Sequence, residues 1–140
     1  MNITFNGAAC GVTGSNHLVE IAGKKILLDC GMYQGGRESE KKNHEDFSYD
    51  VHNIDAVLIS HAHLDHTGRM PKLIRDGYSG PIYMTEGTKE LAMIILEDAV
   101  RIMEEKEKKW KVPMIYTLSD VKKIETVFKS VTYQTKIEIL

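Results

Sequence analysis

The sequence predicts an α/β sandwich in which helices cover a sheet of mixed strand direction. Three observations lead to this prediction. Apolar and polar residues alternate at residues 2–7 and 17–31, which is typical of half-buried antiparallel strands. The continuous apolar run at residues 55–60 favours a strand that is covered on both faces. Helical periodicity begins only after residue 67, so strands precede and surround the helices, which argues against a doubly wound parallel sheet.

The first sixty residues are expected to contain four strands. NITFNG at residues 2–7 is the first, and HLVEIAGKKILLDCG at residues 17–31 contains two more, joined by a tight turn at residues 22–24. Residues 35–50, GGRESEKKNHEDFSYD, are polar and have no apolar period, which indicates a surface loop. The apolar run DAVLIS at residues 55–60 is the fourth strand.

A short helix and another strand follow. The helix is predicted over residues 68–76, with Pro71 in its first turn, where a missing N–H costs little, and Gly77 after its end. PIYMT at residues 81–85 has the length and the apolar character of a strand.

The last third of the chain is predicted to be mainly helical. A long helix over residues 88–109 carries one apolar stripe, which is expected to face the core: Leu91, Ile94, Ile95, Ile102 and Met103. A second helix over residues 119–129 should turn four apolar residues inward: Val121, Ile124, Val127 and Phe128. Residues 131–140, VTYQTKIEIL, should end the chain as one or two strands.

Composition limits the classes of protein to consider. A chain of 140 residues with 42% hydrophobic and 27% charged residues is long enough for one domain with a core. The net charge of −2 argues against a generally basic surface for nucleic acid, although a local one remains open. The chain has no apolar segment of membrane-spanning length and no signal-peptide pattern at its start, so we expect a cytoplasmic location and no membrane contact. Cys10 and Cys30 do not form a C-x-x-C pair and are expected to be ordinary thiols.

The most distinctive segment is LISHAHLDHTG at residues 58–68. It holds three of the six histidines of the chain, together with one aspartate: His61, His63, Asp65 and His66. His61 and His63 are two residues apart, so their imidazoles point to the same side of an extended segment. Imidazole with carboxylate suits zinc, manganese or iron, and two such ions close together can promote hydrolysis. The alternative is a polar loop whose histidines only form hydrogen bonds.

The H-x-H-x-D-H run at residues 61–66, directly after the strand AVLIS, resembles the second signature of the metallo-β-lactamase fold. The resemblance implies that His61 and His63 bind one zinc, and that Asp65 and His66 contribute to the second. Asp65 is then both a metal ligand and a catalytic residue. Asp29, at the end of KILLDC, resembles the first signature, an aspartate that supports the histidine loop by hydrogen bonding. Asp29 could also be an ordinary residue of a turn at a strand end.

Other segments resemble the β-CASP branch of this fold, the RNA-processing nucleases of the ribonuclease J and polyadenylation-endonuclease kinds. They are GAACGVTGSNHLVE, LLDCGMYQGG, HTGRMPKLIRDGYSGPIYMTEGTKELA and LED. Lactamases and glyoxalase-type hydrolases share the histidine run but generally lack VTGS and DCGMYQG. The resemblance implies the N-terminal half of an αββα sandwich, with a mixed sheet and helices on one side, and residues 1–140 as a single partial domain.

The resemblance also implies ligands that these residues do not supply. In the family, a further histidine, a bridging aspartate and a last histidine come from the second half of the fold, and residues 67–140 contain no histidine. Catalytic zinc sites normally have three protein ligands. A full-length protein is therefore expected to be a two-zinc phosphodiesterase acting on RNA, with manganese or iron as other possible metals. The chain alone is expected to bind metal weakly and to be inactive or weakly active.

Two other functions stay open at this point. One is a metallo-hydrolase of small molecules, such as thioesters or lactams. The other is a non-catalytic module that a partner chain completes. The apolar segment KIEIL at the end of the sequence also suggests self-association through an exposed sheet edge.

Overall fold

The computed structural model describes residues 1–139, which form one six-stranded sheet with helices packed against it. The strands stand in the sheet in the order of the sequence, β1 to β6. Their bounds are Asn2–Gly7, Asn16–Ile21, Lys24–Leu28, Ala56–Leu58, Ile82–Met84 and Phe128–Ser130. The first three strands are antiparallel neighbours, and β3 to β6 run parallel. The predicted mixed sheet is therefore confirmed.

Six α-helices connect or follow these strands. Helices α1 to α6 span Gly36–His44, Leu64–Thr67, Met70–Arg75, Glu86–Trp110, Leu118–Lys122 and Ile124–Val127. In residues 1–139 no helix combines the length and the low polarity needed to cross a membrane.

The two faces of the sheet differ in burial. On one face the strand register aligns side chains that are at most 7% exposed: Leu18, Leu27, Val57, Ile82 and Met84. These side chains belong to the same core cluster as the buried residues of α3 to α6, so the helices cover this face. On the opposite face, Ile3 and Phe5 of β1 are 45% and 62% exposed and lie opposite Val19 and His17 of β2. Helices therefore cover one side of the sheet, as expected.

Three predictions about secondary structure are wrong. The predicted loop at residues 35–50 contains α1, a helix with Asn43 as its one buried residue. The predicted helix over residues 119–129 is two short helices, and Phe128 begins β6 instead. Residues 131–139 contain no strand, and residue 140 lies outside the described residues. The edges of the sheet are β1 and β6, so the predicted KIEIL edge strand is absent from residues 136–139.

The prediction of the inward face of the long helix is partly wrong. Ile95 and Met103 pack against the core as predicted. Leu91, Ile94 and Ile102 are 58%, 66% and 50% exposed. The buried residues of α4 are Ala92, Leu96, Ala99 and Val100. The small alanine side chains allow the helix to approach its neighbours closely, while Leu91, Ile94 and Ile102 lie on its outer face.

Candidate metal centre

The histidine segment joins the end of β4 to a single helical turn. His61 and His63 lie in the extended chain after β4, and Asp65 and His66 lie in α2. The hydroxyl of Thr67 donates to the backbone oxygens of Ala62 and His63 at 3.2 and 3.0 Å, which closes the turn. Extended backbone followed by one turn brings all four predicted ligands to one end of the sheet.

The imidazole rings lie close to one another. The ring centroids of His61 and His63 are 4.8 Å apart, and those of His61 and His66 are 4.0 Å apart. Nε2 of His66 lies 3.6 Å from Oδ2 of Asp65. His63 is exposed, and the other three side chains are half-buried. The four predicted ligands therefore form one compact and accessible cluster.

Asp29 anchors this cluster through its carboxylate. Nδ1 of His66 lies 2.7 Å from Oδ2 of Asp29, and the hydroxyl of Ser15 donates to the same oxygen at 3.0 Å. Ser60 donates its backbone N–H to Oδ1 at 2.8 Å and its hydroxyl to Oδ2 at 3.0 Å. A carboxylate behind a histidine fixes the ring orientation and leaves Nε2 of that ring for a metal. The geometry is that of the supporting role expected for Asp29.

The backbone of Asp29 is unusual as well. Its φ of 60° lies in the left-handed region, which aspartate and asparagine tolerate better than most residues. Its N–H donates to the oxygen of Leu58 at 2.9 Å, continuing the pairing of β3 with β4. The left-handed turn follows directly after that pairing and helps to set the carboxylate beneath the histidine segment.

The chain after Asp29 holds α2 by backbone hydrogen bonds. The N–H of Cys30 donates to the oxygen of His66 at 2.9 Å, and that of Met32 donates to Leu64 at 3.0 Å. From the other side, the N–H of Ser15 donates to the oxygen of Asp65 at 2.8 Å. The turn that carries Asp65 and His66 is thus held by main-chain hydrogen bonds from two neighbouring segments of the chain.

Gly31 allows this close packing of backbone on backbone. A Cβ atom at residue 31 would stand 1.7 Å from the oxygen of Asp65 and 2.3 Å from its carbonyl carbon. Real Cβ atoms do not approach so closely, so any other residue would displace the ligand turn. Gly31 is therefore required by the turn that carries Asp65 and His66.

The thiols and the other histidines lie outside the cluster. Cys30 is buried, and burial raises the pKa of its thiol to about 12, so it remains protonated at neutral pH. Cys10 is exposed. His17, His44 and His52 lie in β2, in α1 and in a 3₁₀ turn at Val51–Asn53. They lie outside the cluster, and the interpretation that they bind no metal stays a prediction.

The residues present suit a divalent metal in their chemistry. His66 bonds Asp29 through Nδ1, so its Nε2 atom is available to bind a metal ion. The carboxylate of Asp65 lies beside that nitrogen. Within residues 1–139, no three His, Cys, Asp or Glu side chains form a group able to hold one ion. Four ligands shared as two pairs between two ions would give this same result, because each ion would receive only two. The chemistry of these donors suits a divalent metal ion.

Ser15 and Ser60 are the residues at this site that sequence reasoning missed. Ser60 stands directly before the histidine run, and Ser15 is fourteen positions before Asp29. Their hydroxyls meet at Asp29 only after β2, β3 and β4 have paired. The position of Ser60 beside the run was the one available signal.

Comparisons with known proteins identify the family of the chain. Residues 18–140 match the family described as metallo-beta-lactamase superfamily domain. Ribonuclease TTHA0252 of Thermus thermophilus is 53% identical over 105 residues, which are 75% of this chain and 24% of that protein. Integrator complex subunit 11 of Gallus gallus is 43% identical over 114 residues, 76% of this chain and 19% of that protein.

An archaeal relative and a solved structure extend the comparison. Transcription termination factor FttA of Methanocaldococcus jannaschii is 33% identical over 122 residues, 87% of this chain and 19% of that protein. The chain thus spans about a fifth to a quarter of the length of these relatives. The crystal structure of an archaeal metallo-beta-lactamase superfamily protein from Sulfolobus tokodaii has a TM-score of 0.52 at 14% identity, and covers 91% of this chain and 46% of that one.

The family match covers most of the chain, and the fold agrees with it independently at low sequence identity. The chain therefore belongs to the metallo-beta-lactamase superfamily.

Proposed function

We propose that this chain supplies one part of the metal centre of a two-metal hydrolase that cleaves RNA. The observation that carries the proposal is the Asp29 carboxylate, which holds His66 through Nδ1 at 2.7 Å beside a second and a third histidine ring. The names of the relatives, a ribonuclease among them, support RNA as the substrate.

In this proposal each residue of the cluster has a defined role. His61 and His63 hold one ion, while Asp65 and His66 hold the second. Asp29 orients His66 and does not touch a metal. Zinc is the proposed metal, with manganese or iron as alternatives that the same donors accept. When bound, the ions supply Lewis-acid stabilisation of the charge that builds on a phosphodiester during cleavage.

The rest of the ligand set is proposed to come from outside these residues. The half-exposed face of the sheet around Ile3 and Phe5 is where the second layer of an αββα sandwich would pack.

Self-association through a sheet edge stays a prediction, now assigned to β1 or β6. Sedimentation that shows a strict monomer at high concentration would count against it. The cytoplasmic location also stays a prediction.

RNA cleavage tests the proposed function directly. A full-length protein that contains this chain is expected to cleave an RNA oligonucleotide with zinc or manganese present. The chain alone is expected to be at least ~100-fold slower, because each ion would have two protein ligands where catalytic zinc sites use three. Product formation on a gel with end-labelled RNA measures both rates.

The same assay separates the other functions. Fast turnover of a lactam or thioester by the full-length protein, without RNA cleavage, would select a small-molecule hydrolase instead. Activity that appears only when a second polypeptide is added would select a module completed by a partner. Equal RNA cleavage by the isolated chain and the full-length protein would contradict the half-site.

A further inference from the structure

Ser60 occupies a position that the roles proposed above do not use. Its hydroxyl oxygen lies 3.0 Å from Oδ2 of Asp29, 3.0 Å from Nδ1 of His61 and 3.3 Å from Nδ1 of His66. One exposed hydroxyl thus stands between a carboxylate and two imidazoles that are assigned to different ions. The distribution of hydrogens among these atoms decides which ring nitrogens are free.

The hydrogen of Ser60 can be placed by elimination. An ionised carboxylate only accepts hydrogen bonds, so His66 must donate Nδ1–H to Asp29 across 2.7 Å. The Ser60 hydroxyl has one hydrogen, and it must also donate to Asp29, because otherwise two acceptor oxygens would face each other at 3.0 Å. The Ser60 oxygen then has no hydrogen left to donate to His61 and can only accept a hydrogen bond from it.

The tautomer of His61 follows from this arrangement. With Ser60 as acceptor, Nδ1 of His61 must carry the hydrogen of the bond at 3.0 Å. In the neutral imidazole, Nε2 of His61 is then unprotonated, which is the form in which a ring nitrogen binds a metal. The backbone N–H of Ser60 donates to Oδ1 of Asp29 at 2.8 Å. Because the hydroxyl donates to Oδ2, the two carboxylate oxygens together hold Ser60 in place.

We propose that Ser60 is a positioning residue that extends the action of Asp29 from His66 to His61. Asp29 fixes the tautomer of His66 directly and that of His61 through the Ser60 hydroxyl. One carboxylate thereby prepares one ligand of each ion. The effect of Ser60 on metal binding rests on the proposed function. The tautomers of His61 and His66 can be measured in the chain without metal.

The test uses the full chain labelled with ¹⁵N at histidine. In the metal-free wild type, ring nitrogen shifts are expected to show Nδ1–H for both His61 and His66. In Ser60→Ala, His61 should become a mixture of tautomers while His66 keeps Nδ1–H. Ser60→Thr, which retains the hydroxyl, should restore the wild-type shifts of His61.

Metal affinity gives a second measurement. Competition with a chromophoric chelator is expected to show zinc affinity falling about 10-fold in Ser60→Ala and recovering in Ser60→Thr. Ser48→Ala is the control, because it removes a serine hydrogen bond to Asn6, outside the cluster, and should change neither shifts nor affinity. Circular dichroism spectra should coincide for all variants, since Ser60 is exposed.

The outcomes separate this proposal from the proposed function. An Nδ1–H tautomer of His61 that persists in Ser60→Ala, or that is absent from the wild type, would overturn the role of Ser60 whatever the metal does. Zinc that binds no variant, with the tautomers as described, would instead contradict the metal centre and leave the hydrogen-bond relay standing.

Discussion

Asp29→Asn is expected to lower the affinity of the cluster for zinc by about 10- to 100-fold, the range found when a group that orients a metal ligand is removed. The carboxylate accepts from Ser15, from Ser60 and from His66. An asparagine amide has one acceptor oxygen and would present its NH₂ group to at least one of these donors. The histidine rings would then lose their fixed orientation.

The asparagine variant separates the loss of the carboxylate from any strain in the backbone. Residue 29 has a φ of 60°, and asparagine tolerates this conformation, whereas Asp29→Ala adds about 1–2 kcal/mol of strain and leaves buried donors unpaired. Zinc competition and urea denaturation of both variants measure the two effects. Asp55→Asn is the matched control, since Asp55 pairs with Lys24 away from the cluster. Unchanged zinc affinity in Asp29→Asn would contradict the supporting role.

Gly31→Ala should damage both the fold and the metal centre. The added Cβ would collide with the backbone oxygen of Asp65 at 1.7 Å, and a Cβ has a position fixed by its own backbone, so no side-chain rotation relieves the contact. Overpacking of this kind costs about 1–3 kcal/mol or more in the free energy of unfolding. The displaced turn carries Asp65 and His66, so zinc affinity should fall by at least ~10-fold.

Gly11→Ala is the control for Gly31→Ala. A Cβ at residue 11 meets nothing within 4 Å, so stability and zinc affinity should stay at the wild-type values. Chemical denaturation and chelator competition on the two variants give the comparison. If Gly31→Ala unfolds at the same denaturant concentration as the wild type, the close packing of residue 31 on the ligand turn is wrong.

Five of the six strands, β1 to β5, were predictable because each leaves a strong local signal, whereas residues 128–130 of β6 were assigned to a helix. Alternation marks β1 to β3, and a continuous apolar run marks β4. Helix α1 leaves no such signal. It is polar throughout, and its one buried side chain is that of Asn43. This amide accepts a hydrogen bond from the backbone N–H of Tyr33 and donates one to the backbone oxygen of Tyr33, which is a tertiary contact.

The orientation of α4 could not be read from its sequence. The helix offers two apolar stripes, one of large aliphatic residues and one built from Ala92, Leu96, Ala99 and Val100. Side-chain size favours the first stripe as the core, but the available space beside the sheet accepts the second. The choice between them depends on how closely neighbouring elements approach, and periodicity contains no such information.

The cluster residues were predictable from spacing, while their connections were not. The H-x-H-x-D-H run identifies the donors, and the resemblance adds Asp29. The serine hydroxyls and the requirement for glycine at residue 31 arise from pairing between segments that are distant in sequence.

The most direct test is a zinc titration of this chain beside His61→Ala/His63→Ala, with metal content measured after dialysis. We predict weak binding by the wild type and the loss of one of its two sites in the double variant, because each pair of ligands serves a separate ion. His17→Ala/His52→Ala, which removes two histidines outside the cluster, should bind as the wild type does. Two tightly held equivalents per wild-type chain would contradict the incomplete site, and undiminished binding by His61→Ala/His63→Ala would contradict the ligand assignment.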